Sequence, residues 1–346
     1  MNINLKTFKN VNNPKSIHGI YPYRGKISAI EAREVIAQFD KNKSLLDPFC
    51  GSGTILYEGA MNGLNSIGVE LNPIGQVLSE GKININKSLN EEIEEIKLII
   101  KKAKQSSIFM KMPDKPQKYF HEKTALEIMS LIQFFLDFSH YAKACFYGSI
   151  CLAARGCNHY QWTSSTVGKD INPKRYINFY DKFLAKISKH YYPLPQNTSS
   201  KLIKSDTRNL SKVLNSETID YVFTSPPYFD CLDYTAYYGK IIMEIFEIDR
   251  QKIKSQLIQN FNDYEPSMKI VLNQLYEVVK TGGKVMFVVG DKKIKGNIIS
   301  GSEFFNDITP FKIIKVLERK YTNSSSQIFD RLNKTKRKEQ IVIWEK

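Results

Sequence analysis

Ser225-Pro226-Pro227-Tyr228 is the stretch whose residue types most narrow the chemistry open to this chain. Proline fixes φ and has no N–H. Two in succession stiffen the backbone and leave its carbonyls as acceptors. A planar exocyclic amine presents two N–H bonds that need acceptors at fixed positions, and the Ser225 hydroxyl and Pro226 carbonyl can supply them. Accepting those bonds draws the nitrogen lone pair out of conjugation and stabilises the positive charge that develops as the nitrogen attacks an electrophile. Tyr228 offers a ring face for a planar base. A plainer alternative is a Pro-Pro turn after a buried strand, with Tyr228 as a core aromatic.

A second motif weighs against that alternative. Asp47-Pro48-Phe49-Cys50-Gly51-Ser52-Gly53-Thr54 follows a short apolar run. Gly51 and Gly53 remove side chains where backbone must turn and approach a ligand. No Lys follows the glycines, so this is not a phosphate-binding P-loop, and Leu56 stands where Gly-x-Gly-x-x-Gly needs its third glycine. Glu70 ends the next apolar run, where a carboxylate accepts hydrogen bonds from ribose hydroxyls. Asp206 ends a third run and can accept from an adenine amine. The set Asp47, Phe49, Gly51, Gly53, Thr54, Glu70 and Asp206 thus suits a nucleoside.

Positioning these residues requires parallel strands. Residues 44–50 read as a buried strand and its exit, 54–62 as a helix and 66–70 as a second strand. Asn72 is a helix N-cap with Pro73 at the first helical position. Strand, helix, strand, helix opens a doubly wound α/β sheet. Strands resume at 201–205, 219–224 and 284–289, and two more apolar runs, 311–317 and 340–344, close the chain; in such a fold these usually form an antiparallel hairpin. Between them, 91–104 and 124–141 have helical periodicity, and 131–154 reads as a buried helix rather than a membrane span, being interrupted by Asp137, His140 and Lys143. The organisation is therefore 1–84 as the first part of a catalytic domain, 85–200 as a large, mostly helical insertion, and 201–346 as the second part.

The formal charge of +15 favours a polyanionic partner. Two clusters fit it. Arg155, Trp162 and Arg175 lie in a polar, aromatic stretch of the insertion, a candidate for base reading and stacking. Arg331, Lys334, Lys336 and Lys338 crowd the connection between the last two strands, a candidate phosphate arm. The residues at the start have no apolar signal-peptide core, and the five cysteines include no Cys-x-x-Cys pair. The expectation is a cytoplasmic protein with reduced thiols, no metal and no membrane.

The two motifs together resemble the amino-methylating (cytosine-N4 and adenine-N6) DNA methyltransferases. Asp47–Thr54 is similar to that family's S-adenosylmethionine loop, and Gly68-Val69-Glu70-Leu71-Asn72-Pro73 to the acidic motif that follows it. Tyr21-Pro22-Tyr23-Arg24-Gly25-Lys26 is similar to the segment that closes over the methionine end, which implies cofactor contacts for Tyr21 and Lys26. The resemblance covers residues 18–82 and 201–291 well and 85–200 poorly. It implies methyl transfer from S-adenosylmethionine to a base flipped out of double-stranded DNA, with Ser225, Pro226, Pro227 and Tyr228 as the clamp. A cognate restriction endonuclease acting on the same site is an implied partner. Ser-Pro-Pro-Tyr is typical of cytosine N4. Asp- or Asn-Pro-Pro-Tyr is more typical of adenine N6, which remains the alternative, with an RNA base methyltransferase behind it. Cytosine C5 chemistry needs a nucleophilic thiol in a Pro-Cys pair, and this chain has none. The cofactor motif precedes the clamp and the insertion falls between the second and third strands. Assigning target recognition to 85–200 therefore rests on size and composition.

Overall fold

The computed structural model describes residues 3, 16–23, 27–106, 110–154, 175–227, 233–236, 238–294, 297–319 and 339–346. Strands β1 (Ser44–Asp47), β2 (Asn65–Val69), β3 (Ser200–Ile203), β4 (Ile219–Thr224), β5 (Val279–Gly290), β8 (Lys312–Glu318) and β9 (Glu339–Glu345) form one sheet. Its order is β3-β2-β1-β4-β5-β9-β8, and β6 (Lys292–Ile294) and β7 (Asn297–Ile299) make a separate small ribbon. Strands β1 to β5 run parallel, and β9 runs antiparallel between β5 and β8. The expected α/β sheet with a C-terminal antiparallel hairpin is therefore present.

Alternation along the strands builds two cores. Leu46, Val222, Val285 and Phe287 face one side, where they meet Met268, Leu272, Phe305 and Trp344. Leu45, Phe223, Met286 and Val288 face the other, against Ala32, Val35 and Ile36 of α1 (Ala29–Ile36) and Ile55 of α2 (Thr54–Met61). Period-two side chains with helices on both faces are what a doubly wound sheet requires.

The next helix, α3 (Pro73–Ile83), starts as expected, with the Asn72 side chain accepting from the Ile74 amide at 3.1 Å. The insertion then supplies α4 (Leu89–Gln105), α5 (Asp114–Gln117), α6 (Glu122–Ile132), α7 (His140–Ala154) and α8 (Phe179–Lys189). Helix α4 opens with a Ser88–Glu91 capping box and ends on Lys102 and Lys104, which suit the helix dipole. The 124–141 and 131–154 periodicities expected to be continuous are broken. Phe134, Phe135 and Phe138 pack into the helical core between α6 and α7, and the Ser139 hydroxyl accepts from Ala142 N at 3.0 Å to start α7 afresh. That core joins the insertion to Ile17, Ile20, Tyr57, Ile74 and Leu78. The chain finishes through α9 (Tyr238–Ile245), α10 (Arg250–Gln256), α11 (Phe261–Val278) and α12 (Gly301–Ile308). Among the described residues no helix is long and apolar enough to cross a membrane.

A buried ionic network ties residues 16–23 to this frame. His18 Nε2 meets Glu58 Oε1 at 2.9 Å, Lys82 Nζ meets His18 Nδ1 at 3.2 Å, and Arg33 donates twice to Glu58 at 2.9 Å. Each partner compensates the desolvation of the next.

Candidate functional site

Strand order reverses between β1 and β4, and a cleft opens beyond their carboxyl ends. Asp47, Phe49, Gly51, Ser52 and Thr54 line it after β1, Glu70 and Asn72 after β2, Asp206 and Thr207 after β3, and Ser225 and Pro227 after β4. The cleft is open to solvent, and its empty space, with the open mouth included, is about 870 Å³.

The β1–α2 turn is shaped by its glycines. Gly51 has φ +54° and Gly53 φ +73°, in the region that favours glycine. A Cβ on Gly53 would also lie 2.8 Å from Ser79 Oγ and 3.0 Å from Ser79 Cα. The Ser79 hydroxyl donates to the Gly51 carbonyl at 3.0 Å, so α3 holds the turn from behind.

Glu70 fixes the same turn from the front. Its Oε2 accepts from Gly51 N and its Oε1 from Asn72 N, both at 2.6 Å. A carboxylate has about four acceptor sites, so both oxygens retain capacity for ribose hydroxyls. Gly75 makes this possible by close approach: a Cβ there would come within 2.8 Å of Glu70 Cδ. Burial pushes the Glu70 carboxyl up to about 7, against the two amide bonds and with added repulsion from Asp47.

Asp47 works differently. Its Oδ1 accepts from Thr224 Oγ1 at 2.6 Å and from Phe49 N at 3.2 Å. The first bond joins the end of β1 to the residue just before the clamp. Burial raises the Asp47 carboxyl to about 7 despite both hydrogen bonds. Asp206 caps the short helical turn 207–212, and its carboxylate is gripped by Arg208 through Nε at 3.0 Å to each oxygen. Thr207 Oγ1 donates to the Pro48 carbonyl, closing this side of the cleft.

The clamp leaves β4 with Ser225 and Pro227 on the cleft wall and Pro226 buried. The Pro227 carbonyl accepts from Tyr264 Oη at 2.5 Å. Tyr264 lies on α11 in the sheet core, so a buried side chain sets the direction of the clamp backbone. Beyond it, Asp233 accepts from Thr235 N at 2.9 Å and pairs with Arg250 at 2.6 Å and Lys254 at 2.9 Å, which anchors α10. The main-chain carbonyl of Tyr234, a cleft residue, receives Asn72 Nδ2 at 3.4 Å.

Of the residues singled out in the sequence, Asp47, Phe49, Gly51, Thr54, Glu70, Asp206, Ser225 and Pro227 converge on one cleft, while Gly53 packs against Ser79 behind the turn and Pro226 is buried. Tyr21 is set behind the wall in the helical core, and Tyr23 takes the wall position, within 3.3 Å of a Cβ built on Gly51. Arg175 is exposed on the insertion just before α8. Lys26, Tyr228, Arg155, Trp162, Arg331, Lys334, Lys336 and Lys338 lie outside the described residues. The register Gly290↔Glu339 and Glu318↔Gln340 does place both ends of the 319–338 connection on the rim where β4 releases the clamp. Gln256, Leu257 and Ile258 complete the wall. No local signal marks them in the sequence; the turn between α10 and α11 carries them there.

The methyltransferase domain described as UPF0020, RMKL-like, matches residues 34–109. The Type II methyltransferase M.BsoBI of Geobacillus stearothermophilus is 22% identical over 97% of this chain and 86% of its own length. M.MjaII of Methanocaldococcus jannaschii, also a Type II methyltransferase, is 37% identical over 70 residues, 20% of this chain and 13% of its own. Among solved structures, the rRNA methyltransferase AviRa of Streptomyces viridochromogenes aligns over 98% of this chain and 96% of its own, with 11% identity and a TM-score of 0.36.

A methyltransferase domain implies S-adenosylmethionine, and the residues present fit it. Ser52 Oγ and Thr54 Oγ1 are buried in the cleft wall with no hydrogen-bond partner among the described residues. Such orphans cost about 1–3 kcal/mol each until a polar ligand meets them. The glycine turn leaves the backbone bare, and the Glu70 carboxylate faces the same space. Residues 34–109, the stretch that matches the methyltransferase domain, carry both the glycine turn and Glu70, and the cofactor they fit is S-adenosylmethionine.

Proposed function

We propose that this chain is a site-specific DNA methyltransferase that moves a methyl group from S-adenosylmethionine to the exocyclic N4 amine of a cytosine flipped out of duplex DNA. Its place is the modification half of a restriction–modification pair. One observation carries the reading: the glycine turn and the Ser225–Pro227 clamp line a single cleft and are bonded to each other through Thr224 and Asp47. The Type II methyltransferase relatives and the net positive charge support DNA as substrate. The serine of the clamp supports N4.

Bound in the cleft, S-adenosylmethionine supplies an electrophilic methyl group on a positively charged sulfur. The chain supplies position and charge. Glu70 accepts from the ribose, Ser52 and Thr54 donate to polar atoms of the cofactor, and Phe49 covers an apolar face. Ser225 Oγ accepts one amine N–H and the Pro226 carbonyl the other, so the lone pair points at the cofactor. These acceptors strengthen as the nitrogen becomes positive, which lowers the barrier rather than tightening the ground state. Holding both partners in line contributes the remainder. No covalent nucleophile is used.

The test is to digest DNA from cells expressing the chain and identify modified nucleosides by mass spectrometry. N4-methylcytosine is the expected product. N6-methyladenine moves the chain to the neighbouring specificity, and DNA with no modified base, beside methylated RNA, overturns the reading.

A further inference from the structure

A second concave surface lies on the helical insertion, away from the cofactor cleft. It is lined by Lys104 and Ser106 at the end of α4, Lys123 and Ser130 on α6, and Tyr176 and Tyr180 at the start of α8. The chain's own hydrogen bonds orient it toward the rim that bears the clamp. Helix α3 begins at that rim, after β2, and ends away from it. A Cβ on Gly81, near the end of α3, would meet Ala144 Cβ and the His140 carbonyl, so α7 starts at the far side. It then climbs back, and the ten residues from Ala144 to Ala154 rise about 15 Å. Helix α8 runs the opposite way, since Tyr141 Oη donates to the Ile187 carbonyl at 2.7 Å beside the start of α7. Its first turn is therefore on the rim side. Thr124 Oγ1 donates to the Ile177 carbonyl at 2.8 Å, which brings the start of α6 to the same level. Helix α4 begins at the far side, where Ser139 Oγ donates to Glu92 at 2.8 Å, and delivers Lys104 to the rim.

Ala103, Met110 and Leu126 add apolar surface to the groove, and its exposed charged groups are basic. Lys104 Nζ sits 4.9 Å from the centre of the Tyr180 ring and Lys123 Nζ 4.5 Å from that of Tyr176. Each ring steers an ammonium without neutralising it. Glu127, the carboxylate in the lining, is buried and committed: it accepts from Tyr176 Oη at 2.6 Å and Phe179 N at 2.7 Å. Tyr180 Oη and Ser130 Oγ pair at 2.9 Å. Arg175, which precedes Tyr176 in the chain, is exposed. The lining thus holds two oriented ammonium groups, and its acid, Glu127, is engaged by Tyr176 and Phe179.

We propose that this groove binds the sugar-phosphate backbone of duplex DNA beside the target base, with Lys104 and Lys123 as phosphate ligands. This rests on the DNA reading above and adds a contact surface outside the cleft. Backbone contacts of this type fix register and orientation without reading sequence.

The test uses the full chain and a fluorescent duplex, titrated at several salt concentrations. Lys104→Gln with Lys123→Gln should make the log–log salt slope shallower by about 1.8, roughly 0.9 for each lost phosphate contact. S-adenosylmethionine affinity, measured by calorimetry, should be unchanged, which also shows the variant is folded. Lys101→Gln with Lys102→Gln is the control: both residues are exposed on α4 and neither lines the groove. An unchanged slope in the groove variant, or an equal change in the control pair, overturns the groove while leaving the methyltransferase reading intact. A slope change seen with duplex RNA and not with DNA overturns it in favour of an RNA-facing surface. Failure of the unmodified chain to bind duplex DNA overturns both.

Discussion

The two walls of the cleft are held in opposite ways. The cofactor wall is fixed locally: Glu70 and Ser79 hold Gly51 from within 28 residues, and the Asn72 amide holds Glu70. The clamp wall is fixed from afar, by Tyr264 on α11 and by the Thr224–Asp47 bond across 177 residues. One wall is bare backbone shaped by left-handed glycines; the other is backbone stiffened by prolines. A binding surface can tolerate small adjustments, whereas acceptors aimed at developing charge cannot. The wall proposed to do the chemistry is the one pinned to the sheet core.

If that division is right, damage to each wall shows in a different measurement. The largest effect belongs to Ser225→Ala. Loss of one aligned acceptor should raise the barrier by about 2–4 kcal/mol, read as a fall in single-turnover methyl transfer, with S-adenosylmethionine affinity unchanged. Near-normal transfer would remove Ser225 from the chemistry.

Glu70→Ala should do the reverse, weakening cofactor binding by about 1.5–3 kcal/mol in calorimetry. The unaltered chain carries a pH signature of the same wall. Glu70 and Asp47 hold their protons to about pH 7 when folded, against ordinary values of 4.5 and 3.8. Between those limits the folded state binds more protons, so stability without cofactor falls as pH rises toward 7 and then levels. Cofactor affinity rises over the same window, because ribose hydroxyls donate to the ionised carboxylate. Parallel trends in the two measurements would mean that Glu70 does not receive the ribose.

Gly53→Ala comes next. The left-handed backbone costs a non-glycine residue about 1–2 kcal/mol, and the new Cβ would press on Ser79. Thermal unfolding and cofactor affinity should both decline. Tyr264→Phe should have the smallest effect, about 0.5–1.5 kcal/mol, visible in turnover and absent from cofactor affinity. A loss of affinity instead would show that α11 supports both walls.

This asymmetry also sets what the sequence shows. Strand exits, the Asn72 cap and the glycine turn are legible because each depends on residues a few positions apart. The convergence of Asp47, Glu70, Asp206 and Ser225 follows from strands read as parallel. Gly75 is harder: a glycine in the first turn of a helix has no reason until Glu70 is seen beside it. Tyr264 and Gln256–Ile258 carry no motif, since their roles depend on how α10 and α11 return to the rim. Tyr21 and Tyr23 differ only in which way the short 16–23 segment turns, and the His18–Glu58 network that decides it spans 40 residues. The break at 133–139 was hidden because phenylalanine satisfies helical periodicity and interhelical packing alike.

The long reach of the clamp wall has a consequence for synthesis. Ser44 and Asp220, which pair at the far end of β1 and β4, are 176 residues apart. A growing chain therefore finishes its glycine turn early and must wait for the partner strand, while α4, α6, α7 and α8 complete contacts among themselves. Close contacts form fast and distant pairings slowly. The helical layer is thus expected to gain amide protection before β1 and β4 in pulse-labelled refolding, with the cleft assembled last. Until then the edge of β1 that pairs with β4 is open, which makes the insertion between the two halves a delay in assembly.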